Sequence, residues 1–219
     1  MKSFIVIHHE TMELSRQQAN IAIEAGADGV LFISHSHDEE SVLALTVEFQ
    51  SKHLNIDVGA NFLSLKPHTA IEVAIANDIK NLWIDFCGVN SMRRWDGTLQ
   101  KTIEAKKHYN GRVFCGVAFK YQEHEPNPIK AVEMALSYGF IPTTSGEKTG
   151  ACADIEAIKV MGQASKNSLA LASGLNPENL HKYKPHIEFA FVSTGVSVDG
   201  NFYELDIDKL NKFIAISKS

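Results

Sequence analysis

The sequence predicts an α/β fold in which eight strand–helix units close into one (β/α)8 barrel spanning residues 1–219. Short apolar runs alternate with segments of helical periodicity along the whole chain. The centres of these runs recur roughly every 20 to 30 residues, as expected when parallel strands are joined by crossover helices. Eight such units favour closure of the sheet. No change in composition marks a boundary, so we expect a single domain.

The first four units show how the strands and helices are delimited. The predicted strands are 3–9, 29–33, 56–63 and 82–86, and the predicted helices are 12–25, 38–53, 67–76 and 98–109. Gly26 ends the first helix, Asp38 is a candidate N-cap of the second, and Pro67 suits the first turn of the third. A longer loop, 90–97, precedes the fourth helix.

The last four units repeat the pattern with shorter strands. Predicted strands are 113–119, 140–143, 170–172 and 189–192, and predicted helices are 128–138, 153–164, a short one between the last two strands, and 207–216. Pro128 opens one of these helices and Gly139 closes it. A doubly wound open sheet is the competing fold. Its glycine fingerprint is missing after the first strand, where the residues are His8-His9-Glu10-Thr11.

Composition excludes several classes of protein. The 21 Lys and Arg against 26 Asp and Glu give a net charge of -5 without blocks of like charge, which argues against a nucleic-acid partner. No apolar run approaches membrane-spanning length, and Met1-Lys2 leads directly into the first strand, so we expect a cytoplasmic protein without membrane insertion. The odd, widely spaced cysteines Cys87, Cys115 and Cys152 indicate reduced thiols and no zinc ribbon. No cofactor is expected.

Glycine-bearing turns after the last three strands predict a phosphate site. Glycine lets the backbone approach a ligand and present its N–H groups, and barrels of this class often bind phosphate at the loops after strands seven and eight. The predicted phosphate-binding residues are Ser145, Gly146, Thr149, Gly150, Ser173, Gly174, Thr194 and Gly195. Such turns are also ordinary strand endings, and that alternative stays open.

Titratable residues at the ends of the strands are the catalytic candidates, because barrel enzymes place their chemistry there. Lys120 follows an apolar run and is predicted to act as a base, a Schiff-base amine or a counter-ion to phosphate. Asp85 is its expected partner, in a buried ion pair or in catalysis. His8 is the third catalytic candidate, and the predicted substrate-binding residues are His35, Asn61 and Thr144.

A metal site is the alternative use of the histidines. His35 and His37 project to the same side of an extended segment, as metal ligands do. The adjacent His8 and His9 project to opposite sides, and the last three strands end in hydroxyls and glycines. We therefore expect no bound metal, and interpret these side chains as the polar residues of a wet barrel mouth.

The chain resembles the BtpA/SgcQ family of TIM-barrel proteins over nearly its whole length. The resemblance is densest in 116–122, in 143–146 with 149–150, and in 170–174 with 176–179, and His8 matches a histidine of the family's first strand. It implies a barrel related to phosphate-binding ones. Members are variously described as photosystem assembly factors, nucleosidases or phosphoribosyltransferase-like proteins. A proline-rich loop after the first strand of many relatives is replaced here by Glu10-Thr11-Met12-Glu13.

Three functions are compatible with these residues. The first is an enzyme, such as a nucleosidase-like protein or a phosphoribosyl-compound lyase, isomerase or transferase, acting on a small phosphorylated metabolite at the barrel mouth. The second is a non-catalytic assembly or regulatory factor that retains the ligand cup. The third is a metal-dependent hydrolase that uses His8, His35, His37 and Asp85. The sequence leaves open which metabolite is bound, and it allows a homo-oligomer.

Overall fold

The computed structural model describes residues 1–92, 97–148 and 150–219. Eight parallel strands form a closed barrel in sequence order, with the eighth strand paired to the first. The strands are β1 Lys2–His8, β2 Gly29–Ile33, β3 Asp57–Asn61, β4 Asn81–Ile84, β5 Arg112–Gly116, β6 Ile141–Thr144, β7 Ala170–Ala172 and β8 Phe189–Val192. The predicted single (β/α)8 barrel is confirmed.

Helices follow the strands and cover the outside of the barrel. They are α1 Met12–Glu24, α2 Glu39–Lys52, α3 Pro67–Ala76, α4 Thr98–Lys107, α5 Pro128–Ser137, α6 Ile155–Ala164, α7 Leu180–Tyr183 and α8 Ile207–Lys218. No helix in the described ranges is long and apolar enough to cross a membrane.

Side-chain caps fix where several helices begin. The Asp38 carboxylate accepts a hydrogen bond from the Ser41 N–H at 3.0 Å, which confirms the predicted N-cap of α2. Asn127 accepts from the Lys130 N–H at 3.0 Å in the same way. Pro67 and Pro128 each occupy the first helical turn, where a missing N–H costs no hydrogen bond. The helix starts are therefore encoded locally.

Aromatic rings fill the lower part of the barrel interior. The Phe114 ring lies 6.0 Å from the Phe4 ring, 5.0 Å from Phe189 and 4.9 Å from Phe191, measured between ring centroids. Gly29 of β2 leaves room for this layer, because a Cβ atom there would overlap the Phe4 ring. The interior is thus a packed core and not a channel.

The amino-terminal end of the barrel is closed by ion pairs. Asp57 of β3 receives Lys2 of β1 at 2.8 Å and also pairs with Arg112 of β5. Asp28, just before β2, accepts the Ser3 N–H at 2.8 Å and pairs with Lys218 at the end of α8. These contacts tie strands and the last helix together at the end opposite the candidate site.

Two features differ from the expected elements. The predicted strands 56–63 and 113–119 are shorter in the structure: β3 ends at Asn61 and β5 at Gly116. The chain leaves β5 because Ala118 has a left-handed backbone, with φ 47°. The segment after β8 also contains an unexpected antiparallel hairpin, β9 Ser197–Val198 and β10 Asn201–Leu205.

We predict that Phe114→Ala lowers the free energy of unfolding by about 3–5 kcal/mol, because it leaves a cavity among the three neighbouring rings. Urea denaturation followed by circular dichroism measures this. Leu54→Ala is the matched control, since Leu54 is 86% exposed and its truncation should change stability by under about 0.5 kcal/mol. Equal effects of the two substitutions would contradict the aromatic core.

Candidate functional site

A polar layer lies on top of the apolar core at the carboxyl ends of the strands. Side chains two residues apart on a strand share a face, so each inward apolar residue is followed by an inward polar one. The apolar and polar residues are paired as Val6 with His8, Ile33 with His35, Trp83 with Asp85, and Phe191 with Ser193. Together they line a cavity of about 230 Å³.

This cavity brings together most of the predicted site residues. Its lining includes seven of them: His8, His35, Asp85, Lys120, Ser173, Gly174 and Thr194. Asn61 joins them indirectly, since its side-chain amide donates a hydrogen bond to the Asp85 carboxylate at 3.0 Å. Residues from the ends of β1, β2, β3, β4, β5, β7 and β8 thus converge at one place, as in barrel enzymes.

Two stacked imidazoles form one wall of the cavity. The rings of His8 and His35 lie 4.9 Å apart with an angle of 14° between their planes. Burial, together with the neighbouring His35 and Lys120, lowers the pKa of His8 to about 3. Burial and Lys120 also lower the pKa of His35, against an opposing contribution from Asp85. Both rings are therefore neutral at physiological pH.

Asp85 is a buried carboxylate whose acidity is weakened by its surroundings. Burial raises its pKa from the ordinary range, and this effect outweighs the hydrogen bond from Asn61 and the attraction of Lys120 and His35. The Asp85 backbone carbonyl accepts a hydrogen bond from the Gln122 side chain. This second contact holds the end of β4 against the loop that follows β5.

Lys120 is the cation that faces Asp85 across the cavity. Its backbone N–H donates to the Ser145 hydroxyl at 2.8 Å, and its ammonium lies 5.6 Å from the centre of the Phe119 ring. Burial lowers the pKa of Lys120, opposed by the negative charge of Asp85. Burial thus raises the pKa of Asp85 and lowers that of Lys120, which brings both pKa values closer to neutral pH.

The loops after β6, β7 and β8 pack against one another through glycines. Gly174 has φ 72°, and a Cβ atom there would overlap the Ala151 carbonyl oxygen. A Cβ at Gly146 would meet the same oxygen, and one at Gly195 would overlap the Leu175 carbonyl. Gly174 and Gly195 are therefore required for the close approach of neighbouring loops, and Gly146 for the close approach of two parts of the loop after β6.

The predicted substrate-binding residue Thr144 and several predicted phosphate-binding residues lie outside the main cavity. Thr144, Ser145 and Gly146 line a separate cavity of about 380 Å³ beside α6. The exposed Gly150 donates its N–H to the Ser173 hydroxyl at 3.1 Å, so this group is already bonded within the protein. Gly195 contacts the loop after β7, while Thr149 lies outside the described residues. The turns after β7 and β8 are the part of the predicted cup that reaches the cavity.

Besides the apolar residues of the lining, sequence reasoning missed several residues in or beside the cavity. Trp83 and Ser193 line the cavity, and period-two alternation from Asp85 and Phe191 was the signal for them. Tyr121 also lines it, with a left-handed backbone of φ 64° that no sequence pattern announces. Phe202 comes from the hairpin and contacts both imidazoles.

The remaining histidines do not join the cavity. His9 is buried, with Nδ1 2.9 Å from the Ser15 hydroxyl and Nε2 3.5 Å from Asp38, so it links β1 to the start of α2. His37 is exposed and has φ 60°. Among the residues described, no three His, Cys, Asp or Glu side chains are placed to hold a metal ion.

Comparisons with known proteins place the chain among (β/α)8 barrels. Phosphoribosyl anthranilate isomerase from Thermotoga maritima has a TM-score of 0.67 and 20% identity, covering 100% of this chain and 98% of that one. 3-Hexulose-6-phosphate synthase from Salmonella typhimurium has a TM-score of 0.72 and 10% identity, covering 100% of this chain and 99% of that one. Orotidine 5'-monophosphate decarboxylase from Methanocaldococcus jannaschii has a TM-score of 0.66 and 12% identity, covering 99% of this chain and 95% of that one. At these identities the likeness establishes the fold.

Comparisons with family models and with curated protein sequences find no match to the chain.

We predict that stability falls as the pH drops from 6.5 towards 3, because the His8 pKa of about 3 in the folded protein lies below its ordinary 6.5. In this window the unfolded chain binds a proton at His8 that the folded chain does not, which costs up to about 1.4 kcal/mol per pH unit. Urea denaturation at several pH values gives the free energy of unfolding as a function of pH. This free energy should fall less steeply with decreasing pH in His8→Gln than in the parent. The control His108→Gln changes an exposed histidine and should show the same pH dependence of stability as the parent. The same pH dependence in His8→Gln and the parent would contradict a neutral imidazole at His8.

Proposed function

We propose that this chain is a barrel protein of the BtpA/SgcQ type that binds a small phosphorylated metabolite in the cavity at the mouth and acts on it. The observation that carries the proposal is the pair formed by Asp85, whose pKa is raised, and Lys120, whose pKa is lowered, in one partly enclosed cavity. Groups whose pKa values are shifted towards neutral pH are suited to exchange protons at physiological pH.

The phosphate group is assigned to the side of the cavity formed by the turns after β7 and β8. Ser173, Gly174 and Thr194 line the cavity there, at the place where barrels of this class often bind phosphate. The ammonium of Lys120 supplies a positive charge in the same cavity. The three similar barrels are named for phosphoribosyl anthranilate, hexulose 6-phosphate and orotidine 5'-monophosphate, which supports a phosphorylated sugar as the ligand.

The reacting part of the ligand is assigned to the opposite side, between Asp85 and the imidazoles. A carboxylate with a raised pKa accepts a proton from a carbon or hydroxyl more effectively than a free one, and Lys120 stabilises the negative charge that then develops. Asn61 orients the carboxylate through its 3.0 Å hydrogen bond. Neutral His8 and His35 offer hydrogen bonds to hydroxyl groups without adding charge. These roles suit an isomerase, lyase or transferase of sugar phosphates.

A crystal structure of the protein soaked with ribose 5-phosphate tests the placement directly. We expect the phosphate beside Ser173, Gly174 and Thr194 and the sugar beside Asp85. A phosphate bound instead in the cavity lined by Ser145 and Gly146 would contradict the assignment.

We predict that Lys120→Met weakens the binding of ribose 5-phosphate by about 1–3 kcal/mol, the scale of a lost charged hydrogen bond, and leaves the fold intact. Isothermal titration calorimetry measures the affinity, and circular dichroism checks the fold. Lys101→Met on the exposed surface of α4 is the control and should bind as the parent does. Parent-like affinity in Lys120→Met would remove this lysine from the phosphate site.

We predict that Asp85→Asn lowers turnover by about 10²- to 10⁴-fold, the contribution of a general base, while ribose 5-phosphate still binds. The amide preserves the size of the side chain but accepts no proton at physiological pH. Conversion is measured by screening the parent against a set of phosphorylated metabolites and then testing the variant on the substrate found. Binding by the parent without conversion of any metabolite would favour the non-catalytic factor.

A further inference from the structure

The hairpin after β8 lies over the first strand of the barrel and is fixed there by hydrogen bonds. The Leu205 N–H of β10 donates to the Gln18 side chain of α1 at 2.8 Å. The Asp206 N–H donates to the Val196 carbonyl at 2.9 Å, and the Lys209 ammonium donates to the Ser197 carbonyl at 3.1 Å. The hairpin is therefore anchored both to the first helix and to the last.

Phe202 of this hairpin contacts both imidazoles of the cavity wall. Its ring centre lies 4.8 Å from that of His8 at an angle of 66°, and 5.9 Å from that of His35 at 80°. Both contacts are edge-to-face arrangements, which aromatic rings prefer. The Tyr203 ring, 4.4 Å away, supports Phe202 from the same strand. Phe202 is 37% exposed and covers one side of the partly buried His8 ring, while His35 is itself exposed.

We propose that Phe202 is a positioning residue, which holds the stacked imidazoles of His8 and His35 against the cavity and shields the His8 ring from water. The inference rests on the proposed function in one respect, since it takes these imidazoles to contact the ligand. It gives a role to the hairpin, a part of the chain that contains none of the residues predicted from the sequence to form the site.

The charges around the imidazoles explain why a shield matters. His8 faces His35 and Lys120, and His35 faces Lys120, Asp85 and His37. Among these groups Asp85 is the anion, and it favours protonation of His35. The positive charge of Lys120 opposes protonation of either ring. Two protonated imidazoles at 4.9 Å would repel each other, so the stacked arrangement requires that at least one ring be neutral. A neutral stacked pair keeps both its donor and its acceptor nitrogens for a ligand.

The test is a pH titration of the histidine side chains by NMR on the protein without ligand. In Phe202→Ala we expect the pKa of His8 to rise by about one pH unit or more from its value of about 3, because water reaches the ring. Phe202→Leu keeps most of the bulk and should give a smaller rise, and Phe202→Tyr should titrate as the parent does. Val198→Ala changes an exposed residue of the same hairpin and serves as the matched control.

A second measurement on the parent protein keeps the test independent of how the variants fold. Nuclear Overhauser effects between the Phe202 ring protons and the imidazole protons of His8 and His35 are expected. Their absence, or parent-like titration of His8 in both Phe202→Ala and Phe202→Leu, would overturn the positioning role.

Ligand binding separates this inference from the proposed function. Ribose 5-phosphate should bind Phe202→Ala about two- to tenfold more weakly than the parent, the scale of a lost aromatic contact, and Phe202→Tyr should restore the affinity. Unchanged affinity in Phe202→Ala would overturn the role of the imidazole wall in binding. A parent that binds no ribose 5-phosphate would contradict the proposed function, while the ligand-free titration would still decide what Phe202 does.

Discussion

The alternation of side chains along eight closed strands is the constraint on which the site depends. Because every second residue points inwards, the aromatic and aliphatic layer that includes Val6, Trp83 and Phe191 fixes where the next inward residues lie. His8, Asp85 and Ser193 are those residues, each two positions further on. The packing that stabilises the barrel therefore also sets the depth and direction of its polar groups, and the ion pairs at the opposite end, around Asp57, stay out of the chemistry.

Removal from water is the dominant influence on four titratable groups of the cavity. For His8, His35, Asp85 and Lys120, burial is the largest contribution to the shift in pKa, and it favours the uncharged form in each case. The attraction between Asp85 and Lys120 opposes this influence without overcoming it. A cavity of this kind offers groups that exchange protons readily, and a phosphate entering it would bring a further negative charge near the ammonium of Lys120.

The sequence predicts the barrel well because its signals are local and repeated. Asp38, Pro67 and Pro128 mark helix starts, and the apolar runs mark the strands. It also predicts His8, His35, Asp85 and Lys120, since these follow apolar runs directly. It does not separate Ser145 and Gly146 from Ser173 and Gly174, because the direction of a turn after a strand depends on long-range packing. The sequence also does not predict that Phe202 lies at the site, because its position depends on the hairpin's contact with Gln18 of α1.

The interlocked glycines of the loops after β6, β7 and β8 have a consequence for how the mouth can open. Since Gly174 packs against the Ala151 carbonyl of the loop after β6, and Gly195 packs against the Leu175 carbonyl of the loop after β7, none of the three loops can swing without pushing its neighbour. The three loops therefore form one rigid part of the rim of the barrel mouth. Tyr121 and Phe202, in contrast, border the site through their side chains, and a change of rotamer there can widen the mouth without moving the backbone. A molecule that entered this cavity would thus meet fixed backbone at the loops after β6, β7 and β8 and movable side chains at Tyr121 and Phe202.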